Sequence, residues 1–263
     1  MDRALYGPGG FFVSGSAPAA HFRTSVHASA LFTGAVLTLL ERLDRALGQP
    51  ARLDVVDVGA GRGELLGSLL ASAPPALAER LCLTAVELAP RPAELPPRIA
   101  WQAELPAPVT GLLIATEWLD NVPLDVAVLD GSGTARYLLT DGTPGPPVDA
   151  SGTGWLARWW PLTAGARAEI GAPRDAAWAA AVSTVERGLA VAVDYGHLRE
   201  DRPLLGTLTG YRGGRQVPPV PDGSCDLTAH VAFDAVAAAT PGGTLLRQRE
   251  ALRALGVSGA RPP

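Results

Sequence analysis

Asp54-Val55-Val56-Asp57-Val58-Gly59-Ala60-Gly61-Arg62-Gly63 is followed at once by Glu64-Leu65-Leu66-Gly67-Ser68-Leu69-Leu70. A short β-branched run breaks into three glycines at alternate positions, and leucines at helical spacing follow. This order predicts a strand, a tight glycine turn and a helix N-terminus. Glycine is required where φ turns positive, and where a ligand must approach the backbone more closely than a Cβ allows. The open N–H groups and positive dipole end of the helix beside such a turn favour an electron-rich, nucleotide-type ligand.

The spacing narrows the reading. A nicotinamide-dinucleotide fingerprint runs G-x-G-x-x-G, whereas here the glycines run G-x-G-x-G after an acid, Asp57. The next apolar run, Leu81-Cys82-Leu83-Thr84-Ala85-Val86, ends in Glu87, placed like the acid that holds ribose hydroxyls at the end of a second strand. An acid before G-x-G-x-G, with a second acid so placed, resembles the S-adenosyl-L-methionine (SAM) site of class I methyltransferases. On that resemblance Asp57, Gly59, Ala60, Gly61, Gly63 and Glu87 are the cofactor-binding candidates. A glycine-rich β–α turn without a ligand is the blander alternative.

Outward from this stretch, strand and helix alternate. The pattern predicts strands at about 53–58, 82–87, 99–101 and 111–116, with a helix at about 62–72 and a lead-in helix from Leu31 to Leu47. Near-continuous apolar strands separated by helices imply a parallel sheet covered on both faces. Residues 123–175 break the rhythm with a predicted hairpin, Val126–Leu129 and Ala135–Leu139, then a Gly/Pro-rich stretch and Trp155, Trp159 and Trp160. They read as an insertion over the carboxyl edge of the sheet, its tryptophans either packed on the core or lining a cleft. A helix at 175–187 and a strand at 189–193 resume the alternation, and a helix at 231–239 and a strand near 243–248 end it. The expected organisation is one α/β domain: an extension at 1–50, a core at 51–122 and 176–263, and the insertion at 123–175.

Composition sets outer bounds. The 263 residues, 47% hydrophobic, suffice for a packed core, and the net charge of −4 gives no basic footprint for nucleic acid. All 22 basic residues are arginine, a usage that fits a GC-rich bacterial genome. The two cysteines, Cys82 and Cys225, form no metal or C-x-x-C spacing and give no support for a disulfide. No secretory leader is recognisable, and no apolar run approaches the ~18 residues needed to span a bilayer, so a soluble, cytoplasmic protein without a metal is expected.

Chemistry concentrates at strand ends. Thr116-Glu117-Trp118-Leu119-Asp120-Asn121-Val122-Pro123 follows the fourth strand, where carboxylates face the ligand crevice of a parallel sheet. Glu117 and Asp120 are candidates for holding an acceptor, with helix capping the alternative for Asp120. Asp194 and Tyr195 end the last central strand. His230, four residues after Asp226, is a candidate base, ahead of His197 and His27. For a guanidinium acceptor, whose pKa exceeds ~12, an orienting anion is more useful than an imidazole.

Taken together, these pieces resemble the MidA family of SAM-dependent methyltransferases, which includes the mitochondrial complex I assembly methyltransferase. The likeness runs from Ala4-Leu5-Tyr6 and Gly10-Phe11-Phe12 through Phe22-Arg23-Thr24-Ser25 and Leu31-Phe32 to Val56–Leu65 and Val86-Glu87. It continues in Glu117–Pro123, Val193-Asp194-Tyr195-Gly196, Gly206-Thr207-Leu208 with Tyr211-Arg212, and Asp226-Leu227-Thr228-Ala229-His230-Val231 with Phe233. It implies a Rossmann-like methyltransferase sheet with an inserted hairpin and an N-terminal extension. It also implies SAM as cofactor, Thr24, Ser25 and Glu117 beside it, and a protein acceptor. In the mitochondrial branch that acceptor is an arginine, which brings in a respiratory-complex subunit as partner. Departures are Val26-His27 for the family's Pro-Glu, Thr116 for its Asn, and Ala232 for its Asp. A SAM-binding assembly factor without catalysis and a small-molecule methyltransferase are the competing readings; a nicotinamide oxidoreductase is disfavoured by the glycine spacing.

Overall fold

The computed structural model describes residues 1–13 and 30–258. Five parallel strands form its main sheet in the order β3-β2-β1-β4-β9. These are β1 (Leu53–Val58), β2 (Leu81–Val86), β3 (Ile99–Gln102), β4 (Val109–Thr116) and β9 (Val185–Val193). All six residues of β1 are buried, as expected of a central strand covered on both faces. Two helices pack on this sheet: α2 (Ala30–Ala46), which carries Phe32, Val36 and Leu40, and α3 (Glu64–Ser72), which carries Leu65, Leu66 and Leu69. Their side chains meet Leu53, Val55, Leu83, Leu112 and Ile114 in one apolar cluster. A short helical segment, α4 (Pro75–Ala78), precedes β2, and Arg80 beside it pairs with the buried Asp44 of α2 through two hydrogen bonds of 2.7 Å. That pairing holds the Asp44 carboxyl below its ordinary value.

The chain sorts into two compact units that interleave in sequence. One comprises the described residues of Arg23–Trp118, Ala180–Val193 and Thr244–Pro263 and contains the parallel sheet. The other comprises the described residues of Met1–Phe22, Leu119–Ala179 and Asp194–Gly243. The second unit holds a four-stranded antiparallel sheet, order β7-β6-β5-β8, built from β5 (Asp125–Leu129), β6 (Ala135–Leu138), β7 (Pro144–Pro147) and β8 (Arg167–Ile170). Helix α5 (Ala150–Trp159) lies on it, capped by the Asp149 side chain. Trp155 and Trp160 are buried with Ala127, Leu156 and Ile170, so these tryptophans pack the insertion.

The rest of that unit is irregular and tightly pinned. Strands β11 (Thr209–Arg212), β12 (Arg215–Val217) and β13 (Asp226–Thr228) form a small antiparallel sheet. The two-residue strands β10 (Gly196–His197) and β14 (Val231–Ala232) run parallel, and α7 (Phe233–Ala239) follows. Near the N-terminus, α1 (Asp2–Tyr6) places Ala4 and Leu5 with Phe11, Cys225 and Leu227.

The elements read from the sequence recur with shifted edges and one correction. Helix α6 (Ala172–Ser183) starts and ends earlier than the pattern suggests, with Pro173 in its first turn, a position proline tolerates, and β9 takes up the residues it releases. The strand expected near 243–248 does not form. Gly242-Gly243 breaks the run, and Gln248–Ala254 is a helix, α8, whose first turn closes with the Arg247 N–H donating to Glu250 Oε2 and whose Leu252 packs against the main core. Both cysteines are free thiols. Among the described residues no helix is long and apolar enough to cross a membrane, and no cluster of His, Cys, Asp and Glu has a metal-binding arrangement.

Candidate active site

Strand order reverses at β1, which lies between β2 and β4, and ligands of open parallel sheets bind beyond the carboxyl ends of strands at such a switch point. The glycine turn stands there. Gly59, Gly61 and Gly63 all have left-handed backbones, with φ of +70°, +59° and +79°. Their surroundings differ. A Cβ on Gly59 would lie 2.7 Å from Trp118 Cδ1, and one on Gly63 would lie 2.6 Å from Leu95 Cδ1. At Gly61 the nearest atom among the described residues, chain neighbours aside, would be Glu64 Oε2, 3.8 Å away. The first and third glycines are therefore closed by neighbouring side chains, and the middle one presents an open face.

The turn is held by its own backbone and by the acid that ends β2. Gly59 N–H and Ala60 N–H both donate to the Val86 carbonyl, at 2.9 and 3.3 Å, and Gly63 N–H donates to the Ala60 carbonyl at 2.8 Å. Glu87 Oε2 accepts the Gly61 N–H at 3.0 Å, while Oε1 accepts from Leu88 and Ala89 at 2.8 and 3.0 Å. Asp57, at the end of β1, is buried. That burial, together with Glu87 and Glu64, pushes its carboxyl up to about 8, so it is protonated at neutral pH in the free protein. At the end of β4 the Thr116 hydroxyl is buried without a hydrogen-bond partner among the described residues. Glu117 follows with φ of +53° while its N–H donates to the Val193 carbonyl at 2.8 Å. Asp57, Gly59, Ala60, Gly61, Gly63, Glu87 and Glu117 thus all lie in the unit built on the parallel sheet. Thr24 and Ser25, like Val26 and His27, lie outside the described residues.

Asp120 and His230 lie in the other unit, where a buried arginine joins them through the main chain. The Arg174 guanidinium, 1% exposed, donates to the carbonyls of Asp120, Val122, Ala229 and His230. The Asp120 carboxylate accepts the Thr228 hydroxyl at 2.6 Å. Residues 119–121 form one turn of 3₁₀ helix, and its cap is Asp194, whose Oδ2 accepts the N–H groups of Leu119 and Asp120 at 2.9 and 3.2 Å. Burial and the neighbouring Asp120 raise the Asp194 carboxyl well above its ordinary value. Asp226, bonded to the Asn121 side chain, is raised by burial to about 7.

His230 is exposed, with its ring 6.3 Å from that of Tyr195 and 6.4 Å from that of His197. The His230 backbone N–H is anchored on the Thr207 hydroxyl at 2.8 Å, and Thr207 in turn is gripped by the buried Glu169. His197 Nδ1 faces the Arg202 guanidinium at 2.6 Å, and burial first, then Arg202, lowers this imidazole to about 4, leaving it neutral. Sequence reasoning did not single out Arg174 or Glu169. Both act on backbone groups far along the chain, and such partners leave no local pattern.

Comparison with known proteins places this geometry in context. No curated protein matches the chain. Two crystal structures from Burkholderia thailandensis share the fold, each at 24% identity with a TM-score of 0.70, covering 97% of this chain and 70% of theirs. One is described as a "likely methyl transferase" bound to S-adenosyl-homocysteine, and the other as a native, uncharacterized member of the same superfamily. The model of one protein family, "Putative S-adenosyl-L-methionine-dependent methyltransferase", matches residues 37–247. That match takes in the whole parallel sheet and the acids at its strand ends, and the chain belongs to this family.

Proposed function

We propose that the protein binds SAM on the glycine turn and transfers its methyl group to a protein side chain, an arginine, in the cytoplasm. The observation that carries this reading is the open face of Gly61 beside Glu87. Of the turn's three left-handed glycines only this one is not closed by a neighbour among the described residues, so a ligand can lie against its Cα there. The residues fit an adenosyl sulfonium. Glu87 is placed to exchange its bond from the Gly61 N–H for ribose hydroxyls, and the carboxylates of Glu64 and Glu87 give the turn a field suited to a cation. The family of the chain and the relative bound to S-adenosyl-homocysteine support the same donor.

Bound SAM supplies an electrophilic methyl group, whose C–S bond breaks as the acceptor lone pair forms the new N–C bond and the acceptor proton is lost. The protein has to hold the acceptor in line at roughly 3–3.5 Å, and such positioning can supply ~7–11 kcal/mol of the barrier. Glu117, at the end of β4, is the carboxylate assigned to orient the guanidinium fork and take up its proton.

Melting-temperature shifts with SAM, S-adenosyl-homocysteine and NAD test the donor: stabilisation by the first two alone is expected, and stabilisation by NAD alone overturns it. Labelled SAM incubated with a proteome, including respiratory-complex subunits, then reads the acceptor by mass spectrometry. Label on small molecules alone would move the reading to a small-molecule methyltransferase. Binding without any transfer would leave a SAM-binding assembly factor.

A further inference from the structure

Gly59 and Trp118 are packed so closely that neither position is independent of the other. A Cβ on Gly59 would stand 2.7, 2.9 and 3.0 Å from Trp118 Cδ1, Cβ and Cγ, so the pyrrole edge of the indole rests directly on the glycine Cα. The backbone before it aims it there. Thr116 ends the β4 ladder, and Glu117 still donates its N–H to Val193 as a further rung. Glu117 then adopts the left-handed region, which is strained for a non-glycine residue and persists only where its surroundings enforce it. That kink turns the chain off the strand direction and brings Trp118 back over the end of β1. Trp118 is only half-buried, so core packing alone does not account for it.

We propose that Trp118 is a positioning residue for the methyl donor. It seats the loop after β4 on the first glycine of the turn, and so holds the turn in the shape that presents the open face of Gly61 to the donor. This rests on the donor site proposed above. On this view the three glycines divide their work: Gly59 receives the tryptophan, Gly61 the ligand, and Gly63 receives Leu95 and starts α3.

The test is calorimetric titration of S-adenosyl-homocysteine into the full chain and its variants, with melting followed in parallel. Trp118→Ala is expected to weaken binding about tenfold or more, equivalent to about 1.4 kcal/mol, and Trp118→Phe to restore most of it. Gly59→Ala should weaken binding strongly beside Trp118 and at least about fivefold less beside Ala at 118, the non-additivity expected of residues in contact. Trp118→Ala binding within about twofold of the parent, or additive losses in the Gly59/Trp118 pair, overturns the proposal. Should Trp118→Ala lose its melting transition, Trp118→Leu and Trp118→Phe carry the same comparison: weak binding by the first and near-parental binding by the second support it, and equal affinities overturn it. A parent chain that gives no binding heat overturns the donor site itself, a result distinct from failure of Trp118's role.

Discussion

Glu87 Oε2 accepts the Gly61 N–H at 3.0 Å, so the acid that ends β2 is already tied to the turn after β1 in the free protein. Its other oxygen holds Leu88 and Ala89. Glu87→Ala removes the turn's side-chain tie and the anion offered to a ribose. Hydrogen bonds to charged groups contribute ~1.5–3 kcal/mol each, so affinity for S-adenosyl-homocysteine should fall roughly 10- to 100-fold. Calorimetric affinity within twofold of the parent would take Glu87 out of the cofactor site.

Gly61→Val should abolish S-adenosyl-homocysteine binding and leave a folded protein. The branched side chain enters the open face, where among the described residues, chain neighbours aside, no atom lies nearer than 3.8 Å to the added Cβ. The left-handed backbone at φ +59° adds a strain of ~1–2 kcal/mol, read as a lowered melting temperature with unchanged circular dichroism. Retained affinity would contradict the donor position.

Glu117→Gln should spare cofactor affinity and lower turnover by about 10²-fold, the lower end of what a positioned acid–base group contributes. Radiolabel transfer to the acceptor, with S-adenosyl-homocysteine affinity measured alongside, separates the two effects. Full turnover removes Glu117 from the chemistry.

Asp57 makes stability depend on pH. The folded chain keeps its proton up to about 8, whereas the unfolded chain releases it near the ordinary value of 3.8. Folding stability therefore falls as pH rises across that window, with a slope of up to ~1.4 kcal/mol per pH unit from this one group. Asp57→Asn should flatten the slope and gain on the parent most at pH 8. Urea unfolding at pH 5 and pH 8 measures it; parallel curves for the two proteins would refute the assignment.

Arg174→Met should destabilise the protein by about 3 kcal/mol or more, because four backbone carbonyls lose a buried donor and nearby Asp120, Glu169 and Asp194 lose their cation. Arg174→Lys should recover only part, since an ammonium cannot span that fork of acceptors. Denaturant midpoints report both.

The parallel sheet was legible because its signals are local. An unbroken apolar β1, three alternate glycines and an acid after β2 each announce themselves within ten residues, and the structure has them in the expected order. The insertion was legible only as a hairpin. Pro144-Gly145-Pro146-Pro147 pairs as an edge strand against all propensity, since an edge needs few of the N–H groups proline lacks. At 243–248 two leucines suggest a strand, but the paired glycines at 242–243 break the run before the helix at Gln248–Ala254. Arg174, Glu169 and the seating of Trp118 on Gly59 are tertiary relationships between residues tens of positions apart.

The order of β4 and β9 has a consequence for biosynthesis. β9 covers the outer rim of β4, yet about seventy residues separate the end of one from the start of the other. At ~5–20 residues per second, a nascent β4 waits roughly 4 to 14 s for that neighbour to leave the ribosome. Throughout that interval Leu112, Leu113 and Ile114 stand on a raw margin able to zip onto any passing strand. Yield in a fast-translating host should therefore respond to codon choice between 117 and 184 and to the supply of chaperones that shield nascent chains.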